Sequence, residues 1–155
     1  MNILIVGSSS GLGKEIFDQQ IKRGDDIYAI SRYSSNEVYE NHLKYSKQII
    51  KVDLESIKKQ NELNSLIKSF PSLDQIFFTV GGGFGRKDIF PSLEDMMFVY
   101  KINIFIVGSI IRALNLANKL NKKSKICIIS SIAANEVTAS PTYSSAKSAL
   151  NTFSK

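Results

Sequence analysis

The chain has 155 residues, 43% of them hydrophobic and 22% charged, enough for one domain with a real core and ordinary for a globular protein. Its net charge of +6 comes from scattered lysines, which argues for a solvated surface that suits an anionic ligand and against a nucleic-acid partner. A single histidine, His42, and a single cysteine, Cys127 in an apolar run, argue against a zinc site or a disulfide and for a buried thiol. Met1 leads directly into a strand pattern, and no apolar run reads as long enough to span a membrane. The expectation is a cytoplasmic protein with no membrane partner.

In chain order, Asn2–Val6 is a short continuous apolar run, as expected for a strand buried on both faces. After Gly7-Ser8-Ser9-Ser10-Gly11-Leu12-Gly13, the spacing of Leu12, Ile16 and Ile21 predicts a helix with those residues on roughly one side and Gly24 as its terminator. A second strand is predicted over Asp26–Ile30, a short polar helix within Tyr33–Ser46, and a third strand over Gln48–Val52, followed by Asp53. Ile57, Leu63, Leu66, Ile67 and Phe70 space out a third helix closed by Pro71, and Gln75–Val80 reads as a fourth strand broken by Gly81-Gly82-Gly83-Phe84-Gly85. The longest helix is predicted from Leu93 to Leu120, with Lys119, Lys122, Lys123 and Lys125 where cations favour a helix C-terminus. A fifth strand follows over Lys125–Ser130, and a fifth helix starts at Pro141 with Ser140 as its N-cap. Strands alternating with helices, without repeats, predict a parallel sheet with helices on both faces.

Three stretches carry chemistry. Gly7, Gly11 and Gly13 lie between the first strand and first helix, where glycine permits a tight turn, close backbone approach to a pyrophosphate, and close helix packing. At the end of the second strand stands Ser31-Arg32. There is no carboxylate there to accept from ribose hydroxyls, and a guanidinium fits a 2′-phosphate, so NADP is expected over NAD. Tyr143 and Lys147 share one helix face, downstream of the Ser130-Ser131 pair. A cation about 4 Å from a phenol, at an effective dielectric near 20, favours the phenolate by up to ~4 kcal/mol, on the order of three pKa units. That makes an acid–base group of a weak acid.

Together these residues resemble the short-chain dehydrogenase/reductase family, collinearly over residues 1–155. Gly7-x-x-x-Gly11-x-Gly13 matches its cofactor loop, Asp53 the acid that contacts adenine, and Asn103 the asparagine that holds a proton-relay water. Ser131, Tyr143 and Lys147 match its serine and Tyr-x-x-x-Lys pair. The resemblance implies a Rossmann-type α/β/α fold as a single dinucleotide-binding domain over residues 1–155. It also implies hydride transfer between nicotinamide and an alcohol or carbonyl substrate. Tyr143 would move the proton, Ser131 would hold the substrate oxygen, Lys147 would bind the nicotinamide ribose, and Asn103 would order a water. Ser9, Leu12 and Gly81 join the glycines, Arg32, Asp53, Tyr143 and Lys147 as cofactor contacts.

The family's Asn-Asn-Ala-Gly aligns with Phe78-Thr79-Val80-Gly81, of which only the glycine remains. The serine-to-tyrosine loop is one residue shorter than is common, so Ser130 stays open as an alternative to Ser131. Family members continue with two more strands, a lid and a nicotinamide loop. The resemblance therefore covers the front portion of a longer fold, with five strands present and the fifth as a sheet edge. Two functions remain open, an NAD(P)-dependent oxidoreductase or a truncated, non-catalytic dinucleotide-binding or interaction module. The apolar faces of the long helix and the tyrosine helix resemble the family's contact in homodimers and tetramers.

Overall fold

The computed structural model describes residues 1–83, 88–136 and 140–155. Phe84 and Gly85 of the glycine run lie outside the described residues. Five strands, β1 (Asn2–Val6), β2 (Asp26–Ser31), β3 (Gln48–Lys51), β4 (Leu73–Phe78) and β5 (Leu120–Ile128), form one parallel sheet in the order β3-β2-β1-β4-β5. Crossing from β3 to β4 passes both sides of β1, so strand order reverses at its C-terminal end. That is where open α/β sheets form a ligand crevice.

Strand alternation splits the core into two layers. Ile3, Ile5, Ile27 and Ala29 face one side and pack with Phe17 of helix α1 (Gly11–Lys22). Leu4, Val6, Ile30, Ile76 and Phe78 face the other. There they meet α3 (Gln60–Ile67), α5 (Ile106–Leu116) and Leu150 of α6 (Pro141–Phe153). Fully burying such a side chain stabilises by about 1.5–3 kcal/mol, which is why both faces of the inner strands read as continuous apolar sequence.

Several expectations need correction. On α1, Ile16 and Ile21 pack against the core beside the buried Gly13, Phe17 and Gln20, while Leu12 is exposed, because close approach of Gly13 to the end of β1 turns Leu12 outward. The third helix starts at Gln60, so Ile57 is buried in the turn before it. The long helix ends at Leu116, with Ala117 as C-cap and Asn118 in a left-handed conformation (φ 53°). Leu120 instead pairs with Leu73 in β5, so Lys122, Lys123 and Lys125 lie on a strand and not at a helix end. Cys127 is an exposed free thiol, since β5 is the sheet's edge strand and carries no neighbour on its outer side among the described residues.

The long helix is continuous from Leu93 to Leu116, as α4 (Leu93–Tyr100), a π-helical turn at Lys101–Phe105, and α5. It is long and apolar enough by length and composition to cross a membrane, contrary to the sequence expectation. Here Val99, Ile102, Ile106, Val107 and Ile110 are buried within the fold.

Helix α2 (Asn36–Tyr45) buries one residue, His42. Its ring stacks on Phe17 with centroids 3.5 Å apart, and Nδ1 lies 2.9 Å from the Tyr33 hydroxyl. Burial pushes the His42 pKa down from 6.5 to about 4. An unfolded chain takes up this proton near pH 6.5 and the folded one only near pH 4. The stabilisation is therefore full above pH 6.5 and drains as pH falls to 4, by roughly 3 kcal/mol in total. Urea unfolding at stepped pH should show that loss, and His42→Phe should flatten this part of the pH profile.

Candidate active site

The loop after β1 is built on absent side chains. Gly7 has φ 96°, and a Cβ on it would lie 2.8 Å from Thr79 Oγ1 and 2.9 Å from the Val80 nitrogen. A Cβ on Gly13 would lie 2.1 Å from the Gly7 carbonyl oxygen. Gly11 faces open space but has φ 51°, a left-handed conformation that costs a residue with a side chain roughly 1–2 kcal/mol. The three glycines thus serve a tight turn, a left-handed step and a helix–strand contact. Ser10, the N-cap of α1, makes no side-chain cap hydrogen bond, so the first N–H groups of the helix face the loop uncapped.

Hydroxyls hold this loop in place. The Ser9 N–H donates to Ser31 Oγ at 3.2 Å, and Ser31 Oγ donates to Ser9 Oγ at 2.8 Å. Ser8 Oγ lies 2.8 Å from the Tyr33 hydroxyl, which bridges to His42. Burial pushes the Tyr33 phenol up to about 12, which keeps the bridge neutral. From β4, Thr79 Oγ1 lies 3.0 Å from each of the Val6 and Gly7 carbonyl oxygens. The sequence comparison marked Thr79 as a lost amide; its hydroxyl ties β4 to the loop. The tethering roles of Ser31, Tyr33 and Thr79 were not read from the sequence. Their one signal was the placement of polar residues directly after apolar strands.

All eight residues expected around a cofactor's adenosine and phosphates border a single cleft of ≈ 300 Å³. Gly7, Ser9, Gly11, Leu12 and Gly13 form one wall, Arg32 and Asp53 stand at its outer end, and Gly81 at its inner end. One Asp53 carboxylate oxygen accepts from the Glu55 N–H at 3.0 Å. The expectation that Arg32 has no acid nearby is overturned. Glu55 Oε1 stands 3.9 Å from Arg32 Nη1, brought from the loop after β3 and not from β2.

The second cluster lies at the inner end. Ser140 Oγ accepts from the Tyr143 N–H at 3.3 Å and Pro141 opens α6, as the sequence predicts. Tyr143 and Lys147 are one turn apart, and the Lys147 ammonium sits 5.8 Å from the Tyr143 ring centroid. Lys147 Nζ also donates to the Ile129 carbonyl oxygen at 3.2 Å. Lys147 is only 3% exposed, and burial lowers its pKa. A Cβ on Gly81 would lie 3.0 Å from Lys147 Nζ and 2.7 Å from Asn103 Oδ1. One on Gly83 would lie 3.8 Å from Tyr143 Cβ.

Asn103, fully buried in the π-helical turn, grips this backbone. Its Oδ1 accepts from the Gly82 N–H at 3.0 Å, and Nδ2 donates to the carbonyl oxygens of Gly82 at 2.9 Å and Val99 at 2.8 Å. Both amide protons are therefore used within the fold. Ser131 Oγ accepts from the Ala133 N–H at 3.2 Å and caps the short turn Ile132–Ala134, leaving its own proton to donate elsewhere. Ser130 Oγ is buried without a hydrogen-bond partner among the described residues.

The sequence profile of the short chain dehydrogenase family matches residues 1–155. A short chain dehydrogenase/reductase from Saccharomyces cerevisiae superposes with a TM-score of 0.82 at 24% identity, over 98% of this chain and 62% of that one. A carbonyl reductase from Pseudomonas aeruginosa in complex with NADP gives 0.81 at 21% identity, over 98% and 69%. A serine dehydrogenase from Escherichia coli gives 0.82 at 20% identity, over 99% and 73%. These likenesses show the fold, of which the chain spans 62–73% of the neighbours' lengths. No curated protein matches the sequence.

Two substitutions test the loop. Gly13→Ala forces a Cβ against backbone and should destabilise by about 1–3 kcal/mol, while Gly11→Ala should cost only the left-handed strain, about 1–2 kcal/mol. In Gly13→Ala the cleft itself must distort, so the hydrogen-exchange protection of the Ser8–Gly13 amides should fall, whereas in Gly11→Ala it should hold.

Proposed function

Since the chain belongs to the short chain dehydrogenase family, we propose that it serves an NAD(P)-dependent oxidoreductase acting on an alcohol or carbonyl carbon. The observation that carries this reading is the continuity of one cleft. It runs from the glycine loop to Gly81 and Ile129, and Ile129 is the residue whose carbonyl oxygen holds Lys147. The cradle fits a dinucleotide: at Gly7, Gly13 and Gly81 a Cβ would collide with the loop, β4, Asn103 or Lys147, so bare backbone lines the path. Gly7, Ser9, Gly11, Leu12 and Gly13 would hold the pyrophosphate, Asp53 the adenine, and Lys147 with Tyr143 the nicotinamide ribose. The bound cofactor would supply or accept a hydride.

The chain's own residues would handle placement and the proton. Tyr143 would give its phenolic proton to the substrate oxygen in reduction and take it back in oxidation. Ser131 would donate to the same oxygen with the proton its cap bond leaves free. Lys147, drawn inward by Ile129, would present its ammonium between the ribose and Tyr143. With both amide protons engaged, Asn103 would act by fixing Gly81 and Gly82, and an ordered relay water would have to bond to the backbone of the π-helical turn.

NADP is favoured over NAD, on the outward guanidinium of Arg32 and on the NADP bound in the similar carbonyl reductase. Exposed Met97, Phe105 and Phe153 support pairing with a second copy through the long helix and α6. The second reading, a non-catalytic dinucleotide-binding or interaction module, is favoured by the outer edge of β5, which pairs with no strand among the described residues and where Ile126 is 39% exposed.

A fluorescence titration with NADPH, run with and without a panel of aldehydes and ketones, separates the two. The oxidoreductase reading expects binding with turnover, and a Tyr143→Phe variant that binds normally while turnover falls at least about 10²-fold. Binding without turnover in the native protein supports the module. Lys147→Met should raise the dissociation constant and abolish turnover. It should leave the unfolding midpoint unchanged or higher, because it removes a buried cation.

A further inference from the structure

The mouth of the cleft carries two opposite charges that no single motif explains. Arg32 follows Ser31 and precedes Tyr33, and both neighbours are turned inward: Ser31 bonds to Ser9, and Tyr33 bridges Ser8 and His42. The Arg32 side chain between them is 61% exposed on the cleft rim. Tyr33, two residues past the end of β2, has a left-handed backbone (φ 51°). Arg32 is thus an exposed guanidinium on a backbone anchored on both sides.

Glu55 is anchored too. Its N–H donates to Asp53 Oδ1 at 3.0 Å, and its carbonyl oxygen accepts from Lys101 Nζ in the π-helical turn. With its backbone held at both ends, its side chain lines the same cleft, 3.9 Å from Arg32.

A ribose 2′ position can present a hydroxyl, which is neutral and can donate, or a phosphate carrying about −1.5 to −2 charge. Arg32 attracts the phosphate and has no strong preference for the hydroxyl. Glu55 does the reverse: its carboxylate accepts from a hydroxyl and repels a phosphate at short range. It also neutralises part of the guanidinium that the phosphate would use.

We propose that Glu55 is a specificity-determining residue of the 2′ site, giving the cleft a hold on a free ribose hydroxyl and weakening the grip of Arg32 on a 2′-phosphate. This rests on the dinucleotide reading of the cleft. The chain then binds NADP and NAD with affinities closer than Arg32 alone would set, and Glu55→Gln turns it into a selective NADP binder.

Calorimetric titration of NADP⁺, NAD⁺, 2′,5′-ADP and 5′-AMP into the native protein and Glu55→Gln tests this without turnover. Glu55→Gln keeps the backbone bonds of residue 55, so the melting temperature should hold. The expected result is NADP⁺ and 2′,5′-ADP binding about tenfold tighter and NAD⁺ and 5′-AMP several-fold weaker, with the gain for the phosphate ligands shrinking as salt rises. Arg32→Gln should move the ratio the other way. Equal changes for both ligand classes, or no change, overturn the role of Glu55 while leaving the dinucleotide reading intact. If neither dinucleotide nor either fragment binds the native protein, the cleft reading fails and the inference falls with it.

Discussion

A Cβ on Gly13 would lie 2.1 Å from the Gly7 carbonyl oxygen, and one on Gly7 would lie 2.8 Å from Thr79 Oγ1. The start of α1, the end of β1 and the end of β4 therefore meet backbone to backbone, at distances no side chain permits. Everything else about the cleft depends on that approach. It turns Leu12 out to the cleft, sets the uncapped end of α1 over the crevice, and lets Thr79 reach two carbonyl oxygens at once. Close packing of this kind is costly to perturb because interiors have few voids to absorb a displaced group.

Closeness alone does not give orientation; buried polar bonds do. The Ser8–Tyr33–His42 chain and the Ser9–Ser31 pair tie the loop to β2 and α2. Asn103 ties the Gly81-Gly82 backbone to the π-helical turn. Each ties a flexible glycine stretch to a regular element. A buried polar group left unpaired costs more than a typical hydrogen bond contributes, so these ties resist partial opening.

The two ends of the cleft treat charge in opposite ways. Lys147 is buried among few partners, with its pKa pushed down, so its charge is held at some expense to the fold. Arg32 is largely solvated, Glu55 is partly so, and they stand 3.9 Å apart, so their pairing contributes little to stability and stays free to be replaced by a ligand. A desolvated inner end suits chemistry at a fixed point, and a solvated outer end suits selection between ligands.

Most of the fold was legible because its signals are local. Apolar runs and helical spacing located the strands and helices, glycine types located the loop, and Ser140-Pro141 located the start of α6. The glycines, Arg32 and the Tyr143/Lys147 pair were legible as local patterns, whereas Asp53, Asn103 and Ser131 were candidates through the family resemblance alone; the structure brings the eight adenosine- and phosphate-side residues onto one cleft, whose inner end reaches Ile129. What the sequence by itself determined was which residue types occur at which chain positions. Only the tertiary structure decided that Gly13 rotates Leu12 outward, that Cys127 lies on an edge strand, and that Lys147 turns to Ile129. It alone also brought Glu55 from another loop to Arg32. Each of these depends on through-space contact between separate elements, and neither periodicity nor spacing carries that information.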